Sequence, residues 1–375
     1  MLDTGQESEE AANPTLLTFA RKRRGMTKTE LAKRVNLDLR TISAYESGEK
    51  KATRSALIRI QNALEFPMEF FFGEEIEIPP SEGVSFRSLS RMTAQQRYMA
   101  ECQGALAMKL TAWLERRFEL PPNTIPDLKY LATTPEVGAD SLRRIWGLGE
   151  LPIRNMIHLL EANGVRVFSL SIEAKEVDAF SWWAGDVPVI MLNSFKSAEH
   201  SRFDAAHELG HLVLHRNIGA SRSRDAEFQA NAFASAFLMP EGSVRGYPLR
   251  FPTVEQLISL KRIWGVAASA LNYRLHKLQL ISDWHYRSLC IEIGRRGFRT
   301  REPEEQEREF SAILPQLLKS LYEEDGLTRS AIAKDLSISR SELDQLLFGL
   351  AITSIEGFRT GAPDSGNRAS LKLVR

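Results

Sequence analysis

Cysteine is nearly missing from this chain of 375 residues: Cys102 and Cys290 are the only two, far apart and in no metal-ligand spacing. That argues against the disulfide framework of a small secreted domain and makes a reducing cytoplasm the expected compartment. Net charge is lacking too, with 49 Lys+Arg against 48 Asp+Glu, so any attraction to nucleic acid must come from a local patch. No stretch approaches the ~18 apolar residues that a membrane span needs. The opening MLDTGQESEE is acidic and polar, where a secretion leader would be basic and then apolar. No membrane association is expected. The length allows two or three domains, at least one with a substantial core.

Positive charge is concentrated near the start. Between Asn13 and Ala63 there are twelve Lys+Arg and four acids, 12 − 4 = +8. Apolar residues recur there at helical spacing (Leu16, Leu17, Ala20; Leu31, Ala32, Val35; Ile42, Tyr45; Leu57, Ile60, Leu64), which predicts four short helices. Thr27 with Glu30 forms a capping-box pattern, Asp38 is placed to cap the third helix, and Asn36 stands where a tight turn needs a left-handed residue. The segment MTKTELAKRVNLDLRTISAYESG resembles the helix-turn-helix of phage-repressor-like (Xre-type) regulators. It departs at Asn36, where Gly is usual, and at Lys28, where a Gln that braces base contacts is common. The resemblance implies double-stranded operator DNA as partner. The helix Leu39–Ser47 would lie in the major groove, Arg40, Thr41, Ser43 and Ala44 facing base edges, Lys28 beside them, and Lys50, Lys51 and Arg54 on phosphates. Such domains read paired half-sites, so a homodimer is expected.

GEEIEIPPSEGVSFRSLSR, residues 73–91, has paired prolines and no period, and reads as a linker. An amphipathic helix is expected over Thr93–Phe118 and a second over Ser141–Asn163, interrupted near Gly147–Pro152. GVRVFSL, VDAFSWW and VPVIMLN are short, β-branched or aromatic runs, predicting about three antiparallel strands. The last, Val187–Asn193, is a candidate edge for pairing with an extended peptide. Trp182 and Trp183 read as core or sheet-face residues.

RFDAAHELGHLVLH then returns to helical spacing and carries HExxH. Residues four apart lie one turn apart on one helix face, so His207 and His211 can converge on one ion, and imidazole suits zinc. Glu208, beside the first ligand, is placed to act as catalytic base. A third ligand is required: Glu227, at the start of EFQANAFASAFLMP, is the candidate, with Asp225 the competing carboxylate. Asn231, one turn on, could fix a ligand imidazole's tautomer. His215 completes HxxxHxxxH but lies too far along the helix to share the ion, and reads as structural.

RFDAAHELGHLVLH followed by E-x-x-A-N-x-F-A-x-x-x-L-M-P resembles the ImmA/IrrE metallopeptidases, and the Xre–ImmA/IrrE fusions among them. The resemblance implies one Zn2+ per chain on His207, His211 and Glu227, with Glu208 as the base. His200 stands where an Arg is common. The further implication is cleavage of a repressor or other regulatory protein in response to stress or mobile-element signals. The alternative is a non-catalytic dimeric repressor, or the antitoxin of a toxin–antitoxin pair, whose zincin-like domain grips a toxin partner or senses a ligand.

Near the end, LTRSAIAKDLSISRSELDQLLFGL again reads as helix, turn, helix, with a Ser339–Glu342 capping box. Its charges balance, which favours a packing element over a second DNA reader. The expected chain is mainly α and multidomain: a helix-turn-helix bundle over 13–72, a linker over 73–91, a zincin-like α+β metallopeptidase domain with a short antiparallel sheet over 92–280, a C-terminal helical domain over 281–355, and a disordered tail over 356–375.

Overall fold

The computed structural model describes residues 9–79, 85–86, 92–128, 133–170, 179–216, 224–247, 249, 251–298, 300–351 and 372–373. Four helices open it: α1 (Pro14–Arg23), α2 (Lys28–Arg34), α3 (Leu39–Ser47) and α4 (Arg54–Leu64). Side chains of Asn13, Thr27, Asp38 and Thr53 cap their first turns, and the Thr27–Glu30 capping box is complete. These caps satisfy N–H groups that have no partner within the helix. Asn36 has φ 51°, the left-handed turn between α2 and α3. Leu16, Leu31, Ile42, Leu57 and Ile60 are buried between the four helices, as the spacing predicts.

Helix α5 (Ala94–Glu115) begins at a Thr93–Gln96 capping box, and α1 packs along it. The Cys102 thiol on α5 faces the carbonyl of Phe19 on α1, 3.9 Å away. Burial pushes that thiol up to about 12, which makes it an inert core group. The bundle therefore shares its core with α5.

The helix expected over Ser141–Asn163 is interrupted where expected, as two helices, α6 (Pro135–Ile145), which begins earlier, and α7 (Met156–Ala162). Buried Arg143 donates to the carbonyls of Gly149 and Leu151 at 2.8 and 2.5 Å, holding the break between them. The three expected strands are Arg166–Leu170, Ala179–Ala184 and Val187–Asn193; Val177 and Asp178 lie outside the described residues. Gly185, φ 60°, and Asp186 turn the last two into a hairpin.

The sheet is mixed, not wholly antiparallel. Arg166–Leu170 pairs parallel with Val187–Asn193, on the side away from the hairpin partner. Apolar patterning fixes which faces are buried but not the order of neighbours. Burial is unbroken from Val167 to Leu170. The sheet order is 85–86, 179–184, 187–193, 166–170, so Val187–Asn193 is interior and offers no edge for a peptide. Residues 85–86, read as linker, pair antiparallel with the 179–184 strand.

Helix α8 (Ala198–Leu214) packs on this sheet, and α9 (Arg224–Leu238) packs on α8 and on α6; α10 (Glu241–Arg245), α11 (Val254–Trp264), α12 (Ala268–Lys277) and α13 (Asp283–Arg295) come next in the chain. Buried Arg202 on α8 donates to the Trp264 carbonyl at 3.1 Å and pairs with Glu309, tying α8 to α11 and the chain beyond. His200 is exposed in the first turn of α8, its Nδ1 2.8 Å from Ser197 Oγ.

The C-terminal helices are α14 (Ile313–Asp325), α15 (Arg329–Asp335) and α16 (Arg340–Leu347), with Ser337 at φ 52° turning α15 into α16 just as Asn36 turns α2 into α3. The position equivalent to a recognition helix is nonetheless buried. Leu343, Leu346 and Leu347 of α16 are in the core, and α16 packs on the 166–170 strand. Ser339 caps α16, but the Glu342 carboxylate does not return to it. It pairs with Arg23, at 2.9 Å, and with Arg24, so the expected capping box is only half formed. Two guanidiniums at the C-terminal end of α1, those of Arg23 and the capping Arg24, compete successfully for that carboxylate. Of the expected tail, only Lys372–Leu373 is described beyond residue 355, paired with Phe118–Glu119.

Candidate metal centre

Helix α8 is buried on nearly every side: Ala205, Ala206, Leu209, Leu212 and Val213 are in the core, and His207 and Glu208 are wholly covered. The glycine of HELGH sets the helix spacing. A Cβ on Gly210 would stand 3.0 Å from the Phe233 ring and 3.3 Å from Ala230 of α9, so its absence lets α9 come close. That approach brings the first turn of α9, with Glu227, opposite the two histidines.

His207 Nε2 and His211 Nε2 are 3.1 Å apart; Glu227 Oε2 lies 3.4 Å from the first and Glu227 Oε1 lies 3.4 Å from the second. All three ligand atoms fall within 4.8 Å of one another, and this is the one such cluster among the described residues. Three donors on one face of a tetrahedron around zinc, at bond lengths of ~2.0–2.1 Å, would stand ~3.3 Å apart. The histidine pair has that spacing, and the carboxylate presents one oxygen to each ring at 3.4 Å, which suits a zinc-sized ion. Burial works to raise the Glu227 carboxyl, but the two imidazoles facing it outweigh this and hold it well below the usual carboxylate range. Asp225, the competing carboxylate, is not in the cluster.

The outer ring nitrogens are engaged as well. Asn231 Nδ2 donates to the Glu227 carbonyl at 2.8 Å, leaving Oδ1 to accept from His207 Nδ1 at 3.1 Å. That places the His207 lone pair on Nε2, facing the cluster. His211 Nδ1 lies 3.0 Å from His215 Nδ1, and His215 Nε2 lies 2.9 Å from Gln229 Oε1. With Nε2–H of His215 given to Gln229, its Nδ1 accepts from His211, and the His211 lone pair also points inward. Burial lowers the His215 pKa, in keeping with a neutral ring. The sequence reading missed this role; the i, i+4 spacing of His211 and His215 was its visible trace.

Glu208 points to the sheet. Its Oε2 accepts from Ser181 Oγ at 2.6 Å, both groups being buried. Ser181 was also missed, although a serine in the aromatic run AFSWWA is the polar exception on its strand. Its neighbours bear out the core reading of the tryptophans: Trp182 is buried and stacks on Phe180, and Trp183 Nε1 donates to the Leu212 carbonyl of α8 at 3.3 Å.

In the bundle, Arg40, Lys50, Lys51 and Arg54 are exposed, and Thr41, Ser43 and Ala44 are half-buried on α3. Thr41 is committed to the cap, its Oγ1 donating to Asp38 at 3.0 Å. Lys28 Nζ lies 3.7 Å from Glu46, which Arg21 grips more closely at 2.6 Å. Arg40, Ser43 and Ala44 thus share the outer face of α3, with Lys28 and Thr41 at its margin.

Comparison with protein families matches residues 160–276 to the IrrE N-terminal-like domain of peptidase family M78 and residues 19–71 to the helix-turn-helix family. No curated protein matches the chain. Fold and matches together define a DNA-binding helix-turn-helix protein with a metallopeptidase-like domain. More narrowly, the matches support an Xre-like helix-turn-helix at residues 19–71 fused to an ImmA/IrrE domain at residues 160–276. No helix among the described residues is long and apolar enough to cross a membrane.

Proposed function

We propose that this chain is a DNA-binding regulator whose ImmA/IrrE-type domain is a zinc-dependent endopeptidase acting on a repressor or another regulatory protein. The observation that carries the reading is the convergence of His207, His211 and Glu227 at 3.1–3.4 Å beside a buried Glu208. These three residues would hold one Zn2+ per chain, Asn231 and His215 orienting the two imidazoles. When bound, zinc supplies a Lewis acid and a water acidified to near neutrality. Glu208 is the base: its carboxylate, steadied by the Ser181 hydroxyl, takes the proton of the attacking water and delivers it to the leaving amine. A role as mere scaffold gives no reason for a buried carboxylate at that position.

For the DNA half, Arg40, Ser43 and Ala44 face base edges, with Lys28 and Thr41 at the margin, and Lys50, Lys51 and Arg54 hold phosphates, in a cytoplasmic homodimer on paired half-sites. Arg40→Ala is expected to weaken specific operator binding by ~1–3 kcal/mol while leaving non-specific binding nearly unchanged. Mobility-shift titrations at fixed salt check this, and unaltered operator affinity removes Arg40 from the contact set.

The peptidase half is tested by incubating zinc-loaded wild type and Glu208→Gln with purified helix-turn-helix repressors and with the protein itself. One defined cut by wild type alone supports the proposal. If neither cuts anything while both bind the operator equally, the chain acts instead as a non-catalytic repressor or antitoxin.

A further inference from the structure

Among the described residues, the two most exposed large apolar side chains are Phe251 and Trp284, each 76% exposed. Phe251 also has φ 54°, a left-handed backbone that a bulky residue ahead of a proline adopts only at a cost. His285 adjoins both, its ring centroid 5.8 Å from that of Phe251 and 6.4 Å from that of Trp284. The His285 Nε2–H donates to the Pro252 carbonyl at 2.9 Å, which pins the strained segment to α13. Packing within this chain gives no return for holding an aromatic ring out in water on a strained backbone.

Phe251 lines a groove of about 880 Å³ at the turn between α12 and α13, where Leu280 and Ile281 supply apolar surface and His276, Lys277 and Asp283 the polar groups. Asp283 is already engaged, its Oδ1 accepting from His276 Nε2 at 2.6 Å. Lys277 is exposed and has no carboxylate partner among the described residues; its Nζ rests over the rings of Phe228 and Tyr273, at 5.6 and 5.5 Å. Phe228 follows Glu227 in the chain and is itself 55% exposed. Lys277 thus joins the groove to the first turn of α9, the turn that carries the carboxylate of the metal cluster.

The uncompensated charge of the groove is positive and its rim is aromatic. An acidic side chain would give Lys277 the counter-charge it lacks, and a bulky apolar one would cover Phe251 and Trp284. A nucleic-acid backbone would need a row of cations, and only one unpaired cation lines this groove. We propose that the groove at the α12–α13 turn docks an acidic segment with an apolar anchor, belonging to the regulatory protein whose chain enters the metal centre past Phe228. The proposal rests on the peptidase reading only in taking the docked protein to be the substrate. Partner choice is then set at a distance from the bond that is cut.

The test selects dodecapeptides from a random phage-displayed library on the full-length Glu208→Gln protein, which keeps this surface and does not consume its ligand. The strongest binder is labelled and titrated by anisotropy against that protein and against three further variants built on it. The expected binder carries Asp or Glu together with Trp, Phe or Leu. Lys277→Glu should weaken it by ~tenfold or more, and replacing the acids of the peptide by lysine should restore the loss. Trp284→Ser and Phe251→Gly should each cost about tenfold. Phe251→Gly removes the strained backbone along with an exposed ring, so its loss of binding is not a loss of fold. A binder without acidic residues, or one indifferent to Lys277→Glu and Trp284→Ser, overturns the proposal. So does a dimer in sedimentation that Trp284→Ser dissolves while no peptide binds, since a second copy is then the occupant. Binding as described, with no protein cut by the wild type, defeats the peptidase reading and leaves the docking site standing.

Discussion

Glu227→Ala is expected to lower zinc affinity by ~100- to 1,000-fold. A protein zinc site with four ligands binds with roughly 10–16 kcal/mol, so each ligand accounts for about 2.5–4 kcal/mol, and RT converts that to about the stated range. The loss should fall at the upper end, because Glu227 is the only carboxylate in the cluster and its removal leaves two imidazole nitrogens facing each other at 3.1 Å. Competition with a chromophoric chelator measures it. Asn231→Ala gives the comparison: it leaves the ligands in place and removes only the acceptor for His207 Nδ1, and changes to such supporting partners cost ~10- to 100-fold. If Glu227→Ala binds zinc within a few-fold of wild type, the third ligand is some other group.

The second large effect lies far from the metal. Arg23 and Glu342 are both buried, and Arg24 shares the same carboxylate. Glu342→Ala leaves both guanidiniums without a counter-charge, the buried Arg23 keeping only Gln345 and Arg24 the carbonyls of Leu64 and Glu65, and is expected to destabilise the protein by about 3–5 kcal/mol, the usual result when one partner of a buried ion pair is removed. The double change Arg23→Met with Glu342→Met should recover much of that loss, since an apolar pair of similar volume avoids the desolvation that the ions suffer. Denaturant unfolding followed by tryptophan fluorescence measures both. A loss under about 1 kcal/mol for Glu342→Ala would mean that α1 and α16 are not docked in solution. Operator binding by the folded protein should be unaffected, because α1, not the outer face of α3, carries the pair.

The parts that were legible in the sequence are those governed by local spacing. Thr27 with Glu30, Asp38 and Asn36 announced their caps and turn because each acts within four residues. The i, i+4 histidines fixed two donors of the cluster, and Glu227 was found because it opens the next apolar helix. What stayed hidden depends on distant partners. Glu342 looked like half of a capping box, and only the arrival of Arg23 and Arg24 from the far end of the chain explains its direction. Ser181 could be seen as a polar exception, but its bond to Glu208 depends on α8 lying over its strand. The parallel course of Arg166–Leu170 could not be read either, since a buried strand shows the same apolar run beside a neighbour of either direction.

The most direct measurement is the coordination of zinc in the loaded protein, by X-ray absorption or a zinc-bound crystal structure, for wild type and Glu227→Ala. The account predicts one ion per chain with two imidazole nitrogens and a carboxylate oxygen at ~2.0–2.2 Å, the oxygen being lost in the variant. Zinc held by other residues, or an identical shell in both proteins, would contradict it.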